Sequence, residues 1–156
     1  MISLQSKTKR QVEARFLTGV GSMKCVVELD TLLNTLSPKL QDGEFVFCAV
    51  PGSISAYGHL EALAAIREPE GVTLILPVVD AVRENFRFDH TFRQITLTIH
   101  SSLQAVGLTA AVSGKLTAKG IPANVVAGFY HDHIFVPSEK AREAVDVLRE
   151  LSRSGK

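Results

Sequence analysis

Residues 94–101, QITLTIHS, alternate strictly: Ile95, Leu97 and Ile99 fall on one side, Thr96, Thr98 and His100 on the other. A period of two sends successive side chains to opposite faces, so this segment reads as a strand with one core face and one wetter face. Next, Ala105, Leu108, Val112 and Leu116 recur at spacings of three and four. That is an apolar helical stripe, and Gly120 closes it as a C′ residue. IPANVVAGFY (121–130) reads as a strand, HDH (131–133) as a turn and IFVP (134–137) as the partner strand. Ser138 is placed to cap a last helix striped by Ala141, Ala144, Val145, Leu148 and Leu151. From residue 94 onward the order is therefore strand, helix, strand, strand, helix, an α+β pattern.

The first half carries related signals. MKCVVEL (23–29) reads as an edge strand. Asp30 is placed as N-cap of a helix over TLLNTLSPKL, with Leu32, Leu33, Leu36 and Leu40 on one stripe and Pro38 shortening or bending it. EFVFCAV (44–50) is a near-continuous apolar strand and PGSISAYG (51–58) a loop. LAAIRE and VTLILP flank PEG at 69–71 as a hairpin, and VVDAVRENF forms a helix of about two turns. LPVVDAVRE (76–84) and VPSEKAREA (136–144) echo one another, matching Pro77 with Pro137 and Ala81 with Ala141 at one offset. The expectation is two small α+β units, 23–88 and 89–156, packed together or sharing a sheet because each is small to be stable alone. Residues 1–22, with Lys7, Lys9, Arg10 and Arg15 against Glu13, read as a flexible tail.

Composition narrows the function classes. A chain of 156 residues with 46% apolar residues can bury a sizeable core. A net charge of +1 without a basic, aromatic-interleaved run argues against nucleic acid. No stretch approaches the roughly 18 apolar residues of a membrane span. Cys25 and Cys48 lack CxxC spacing and read as buried thiols in a reducing compartment; with no secretory signal, the expected location is cytoplasmic.

ITLTIHSSLQAVGLTAAVSGKLTAKGIPANVVAGFYHDHIFVP closely resembles the ACT-domain family of small ligand-binding regulatory modules. In the first half TLLNTLSPKL, GEFVFCAV and IREPEGVTLILP join the resemblance, which covers about 120 residues and is nearest to short stand-alone proteins with two ACT-like units. It implies ferredoxin-like βαββαβ units, antiparallel sheets with helices on one face, and an amino acid bound at an interface between units. The second half supplies only βαββα before Lys156, so its closing strand is missing, short, or contributed by the first half.

A free amino acid presents a carboxylate and an ammonium. Backbone N–H groups where a loop enters a helix suit the former. HSSLQAVGL (100–108) is such a loop: Ser101 and Ser102 offer hydroxyls and Gly107 allows close backbone approach. Asn124 offers a side-chain carbonyl for the ammonium. The resemblance implies ligand contacts from His100, Ser101, Ser102, Val106, Gly107 and Leu108, and from Ile121, Asn124 and Val125. The plainer readings are helix capping for the serines, helix packing for Gly107, and a strand-edge bulge or solvent contact for Asn124.

His131, Asp132 and His133 admit three readings. A metal could be held by His100, His131 and His133, although zinc needs three or four ligands. Asp132 could fix a hairpin tip. Or the three could touch a small ligand or a partner subunit. No nucleophile elbow, phosphate loop, HExxH or dinucleotide motif occurs, Glu68 and Glu70 read as a solvated acidic turn, and no orienting acid accompanies a Ser–His pair. The expectation is a non-catalytic sensor of an amino acid, without cofactor or metal. A second copy covers the sheet face of Thr96, Thr98 and His100 in a homodimer. The alternative is a metal-binding protein or metal-dependent enzyme built on the HDH hairpin.

Overall fold

The computed structural model describes residues 29–98 and 106–153. The expected strand over 23–28, Cys25, and Ile99 to Ala105 with His100, Ser101 and Ser102 lie outside the described residues.

Helix α1 spans Leu29–Thr35 and strand β1 spans Pro38–Leu40. Strand β2 (Phe45–Val50) leads through a 3-10 turn at Ile54–Tyr57 to β3 (Ala64–Glu68), β4 (Gly71–Pro77) and the short helix α2 (Val78–Arg83). Then come β5 (Phe92–Leu97), α3 (Leu108–Thr117), β6 (Asn124–Ala127), β7 (Asp132–Pro137) and α4 (Ala141–Arg153). Among the described residues the strands form one seven-stranded sheet, ordered β3-β4-β2-β5-β7-β6, with β1 beside β5. Every pairing is antiparallel.

Register sorts the side chains. Phe45 pairs with Phe92, so Val46, Cys48 and Val50 share a face with Ile95 and Leu97. Helices cover that face. Leu32, Leu36, Leu108, Val112, Leu116, Ala144 and Leu148 close over Ile95, Leu97, Ile134 and Val136. Ala81, Leu60 and Ile54 close over Val46, Cys48, Leu74 and Leu76. The opposite face carries Phe45, Phe47, Phe92 and Phe135 in edge-to-face contact, with ring centroids 5.2–5.9 Å apart. Phe135 is fully buried there among its neighbours.

The two halves are related by an approximate two-fold through the Phe45–Phe92 pair. Phe45 faces Pro77 across β4 as Phe92 faces Pro137 across β7. Val78 N donates to Glu44 O at 3.0 Å as Ser138 N donates to Thr91 O at 3.1 Å. Ala81 and Ala141, matched in the sequence echo, are both buried. The closing strand that the second half lacks comes from the first: β1 lies antiparallel to β5, pairing Pro38 with Leu97 and Leu40 with Ile95.

Several boundaries differ from the sequence reading. Asp30 lies inside α1, not before it. The helix stops at Thr35 because Pro38 disfavours helical geometry just ahead of itself, and Leu40 enters a strand. The helix over 78–86 ends at Arg83, followed by Asn85 at φ 55°. Ser138 does not cap α4: it opens a 3-10 turn, and its Oγ sits 3.0 Å from the Thr91 hydroxyl. The strand expected over 121–130 is only Asn124–Ala127. Gly120, at φ 66°, does close α3 as expected. Gly120 N donates to Thr117 O and Ile121 N to Leu116 O, which satisfies the last carbonyls of the helix.

Phe135→Ala removes a fully buried ring from the aromatic cluster. Urea unfolding should show a loss of about 3–5 kcal/mol with an unchanged m-value.

Candidate functional site

The sequence-predicted positions are spread over α3, β6 and β7 and the residues before each. Thr98, just past β5, donates both its N–H (3.1 Å) and its hydroxyl (2.8 Å) to Ser37 O, which pins the outgoing chain to the end of α1. Across β5, Leu97 pairs with Asp132 at the start of β7. Gly107 precedes α3 at φ 98°, where a Cβ would come within 3.0 Å of Leu29 Cδ2. The glycine thus lets α3 begin hard against α1. The first N–H groups of α3 have no intrahelical acceptor, which leaves donors at that end.

The other predicted residues divide. Leu108 and Ile121 are buried in the core under α3, and Val125 packs partly against the same core. Val106 is 82% exposed. Asn124 is exposed and pairs with Phe135, so its side chain stands on the helix-free face. The hairpin tip is Gly128–His131, one step earlier than HDH suggests. Gly128 N donates to His131 O at 3.0 Å, and Asp132 and His133 already belong to β7. Phe129 and Tyr130 stack edge-to-face at the tip and are 62% and 48% exposed.

Asp132 and His133 point to opposite faces. Asp132, beside Leu97, has its carboxyl pushed above the ordinary range by burial, with the His133 and His131 imidazoles opposing. His133 faces Thr96. Its Nδ1 lies 2.9 Å from Gln94 Nε2 and 3.1 Å from Thr96 Oγ1. Burial pushes the imidazole below its usual pKa, His131 adds to that, and Asp132 opposes it. Gln94 is the residue that sequence reasoning passed over, and Thr96, expected on a wetter face, is buried against His133. The alternation places Gln94 on the face of Thr96, but only the β5–β7 register sets both against His133. Among the described residues no group of three His, Cys, Asp or Glu side chains is arranged to hold a metal.

At the end of the first half related to this by the approximate two-fold, an open groove of about 400 Å³ runs between Ala49–Pro51 and Glu68–Thr73. Glu68 accepts a hydrogen bond from the Thr73 hydroxyl, and Glu68 and Glu70 are exposed, as a solvated acidic turn would be.

Two ACT-domain family models match the chain in tandem, at residues 24–93 and 90–150. The chain belongs to the ACT-domain family. A Vibrio cholerae protein of unknown function, described as a possible transport protein, is 50% identical. The match covers 80% of this chain and 95% of that one with a TM-score of 0.74. An Agrobacterium tumefaciens protein is 18% identical over 75% of this chain and 89% of its own, with a TM-score of 0.64. The ligand-free regulatory subunit of aspartate kinase from Thermus thermophilus shares the fold at 10% identity and a TM-score of 0.57, covering 73% and 95%. No curated protein matches. ACT domains are regulatory, ligand-binding modules, and this ACT chain carries two of them. Among the described residues no helix is long and apolar enough to cross a membrane.

Two outcomes follow from the site. Gly107→Ala must place a Cβ at φ 98° against Leu29, so denaturant unfolding should show a loss of roughly 1–3 kcal/mol. The pH dependence has two opposed parts. Below about pH 6.5 the unfolded histidine takes up a proton that folded His133 resists, so stability falls until the lowered folded pKa is passed. Asp132 acts oppositely: its raised folded pKa means that its contribution rises as pH falls toward about 3.9. In His133→Gln the loss beginning near pH 6.5 should be smaller than in the parent chain.

Proposed function

We propose that this ACT protein is a non-catalytic cytoplasmic sensor, built of units at 23–88 and 89–156, that binds an amino acid at an interface between units. The observation that carries this reading is the tandem match of two ACT-domain models; beside it, Gly107 opens α3 against α1, and Asp132 stands opposite Leu97 at the end of β5. An amino acid's carboxylate suits the free N–H groups of α3. The Asp132 carboxylate, on the helix-covered face opposite Leu97, is the acceptor offered to its ammonium; Asn124, on the other face, joins the reading only through the family resemblance. His100, Ser101 and Ser102 join the reading through the family resemblance.

A homodimer belongs to the same reading. Val106, Phe129 and Tyr130 are exposed apolar side chains on the two segments flanking this end, the composition expected of an interface. Gln94, Thr96 and Phe135 are already buried on the helix-free face, so the dimer reading rests on the exposed Val106, Phe129 and Tyr130 and not on that face. The effector would favour one packing of the units, and a partner would respond to that packing.

A thermal-shift panel of the twenty amino acids at millimolar concentration should raise the melting temperature for one or a few of them. Sedimentation should give twice the chain mass. A flat panel would defeat the sensor reading; a monomer at all concentrations would defeat the dimer.

A further inference from the structure

On the helix-free face, His133 has an unusual set of neighbours. Gln94 and Thr96 are each 5% exposed, and both direct a polar atom to the same ring nitrogen, Nδ1, at 2.9 and 3.1 Å. The amide nitrogen of glutamine can only donate. With the amide in this orientation Nδ1 accepts, in a neutral ring with its proton on Nε2. That second nitrogen lies against Gly128, where a Cβ would stand 3.5 Å from Nε2 and 2.6 Å from His131 O. The ring is thus wedged between strand β5 and the hairpin.

We propose that His133 is a proton-linked latch: neutral, it ties the 128–133 hairpin to β5 through Gln94 and Thr96, and protonated, it releases that tie. A proton on Nδ1 would face the hydrogens of both partners. The Thr96 hydroxyl can rotate to accept, but Gln94 must turn its amide over within a buried site. Burial of the ring also disfavours the imidazolium. Among the described residues, β5 turns only the uncharged Gln94 and Thr96 toward the ring, and β6 sets Val126 opposite it. The hairpin contributes Asp132, which favours the charged ring, and His131, which opposes it.

The latch is built from residues of this chain alone, so it does not depend on the amino-acid reading. Its consequence is that anything held by the hairpin is held in a proton-dependent way.

Ring nitrogen NMR and amide hydrogen exchange of the ligand-free protein test it together. Nδ1 should be the unprotonated nitrogen at neutral pH. As pH falls, exchange at 128–133, normalised to the β2–β4 ladder, should rise with the midpoint of His133. Gln94→Glu puts an acceptor beside Nδ1, so the His133 midpoint should move up by about one pH unit, a tenfold gain in proton affinity. In Gln94→Met with Thr96→Val, normalised hairpin exchange should no longer follow His133. A ring proton found on Nδ1 in the parent chain, or hairpin exchange indifferent to the His133 midpoint, overturns the latch. Both readouts come from the parent chain, so they decide the matter even where a variant fails to fold.

Discussion

The antiparallel meeting of β2 and β5 at Phe45 and Phe92 is the contact on which the rest of the molecule depends. The helix-covered face holds two separate clusters, one under α1, α3 and α4 and one under α2. Neither is large, and small cores are marginal. What makes one sheet of them is this central pair, reinforced on the opposite face by the edge-to-face rings of Phe45, Phe47, Phe92 and Phe135. Beside it, Gln41 N donates to Gln94 O and the Arg93 guanidinium donates to Gln41 O, bonding the bend between β1 and β2 to β5. Both halves thus draw on the same strands.

Within that shared frame the halves differ in the segments that follow β2 and β5. In the second half the segment after β5 leads into the ten-residue α3, which packs on α4. The equivalent segment after β2 makes only the 3-10 turn at Ile54–Tyr57. Its loop is closed internally: the Tyr57 hydroxyl donates to Pro51 O at 2.6 Å, and the Ser53 and Ser55 hydroxyls lie 2.8 Å apart. A 3-10 turn of that length aligns fewer N–H groups than the start of α3 does. The hairpins diverge too, with Glu68 and Glu70 in one half and His131, Asp132 and His133 in the other. Two ACT units in one chain are therefore not two copies of one site.

Much of this was legible in the residues because it rests on local periodicity. The alternation of Ile95 with Thr96, the stripe Leu108–Val112–Leu116, Gly120 at the helix end and the turn at 69–71 each depend on neighbours a few positions away. Pro77 with Pro137 and Ala81 with Ala141 even showed the internal relation. What could not be read was decided by distant pairing. Leu36 and Leu40 fit a helical stripe, yet Leu40 lies opposite Ile95, a strand partner that no local window contains. The same holds at the site. HDH announced itself as chemistry, but that its second histidine meets Gln94 and Thr96 follows from the β5–β7 register, a non-local property.

That register also sets what surrounds His133. Across the sheet, His133 has Thr96 on one side and Val126 on the other, neither of them a ligand for zinc. Its Nδ1 lone pair is engaged by Gln94 and Thr96, and the proton this leaves on Nε2 blocks the second lone pair. A metal would have to displace two buried hydrogen bonds or that proton, and would still lack further ligands on this face among the described residues. The same features suit the ring to a task of its own. A neutral imidazole held by two buried partners, on the strand that carries the hairpin, couples its protonation state to the position of the hairpin.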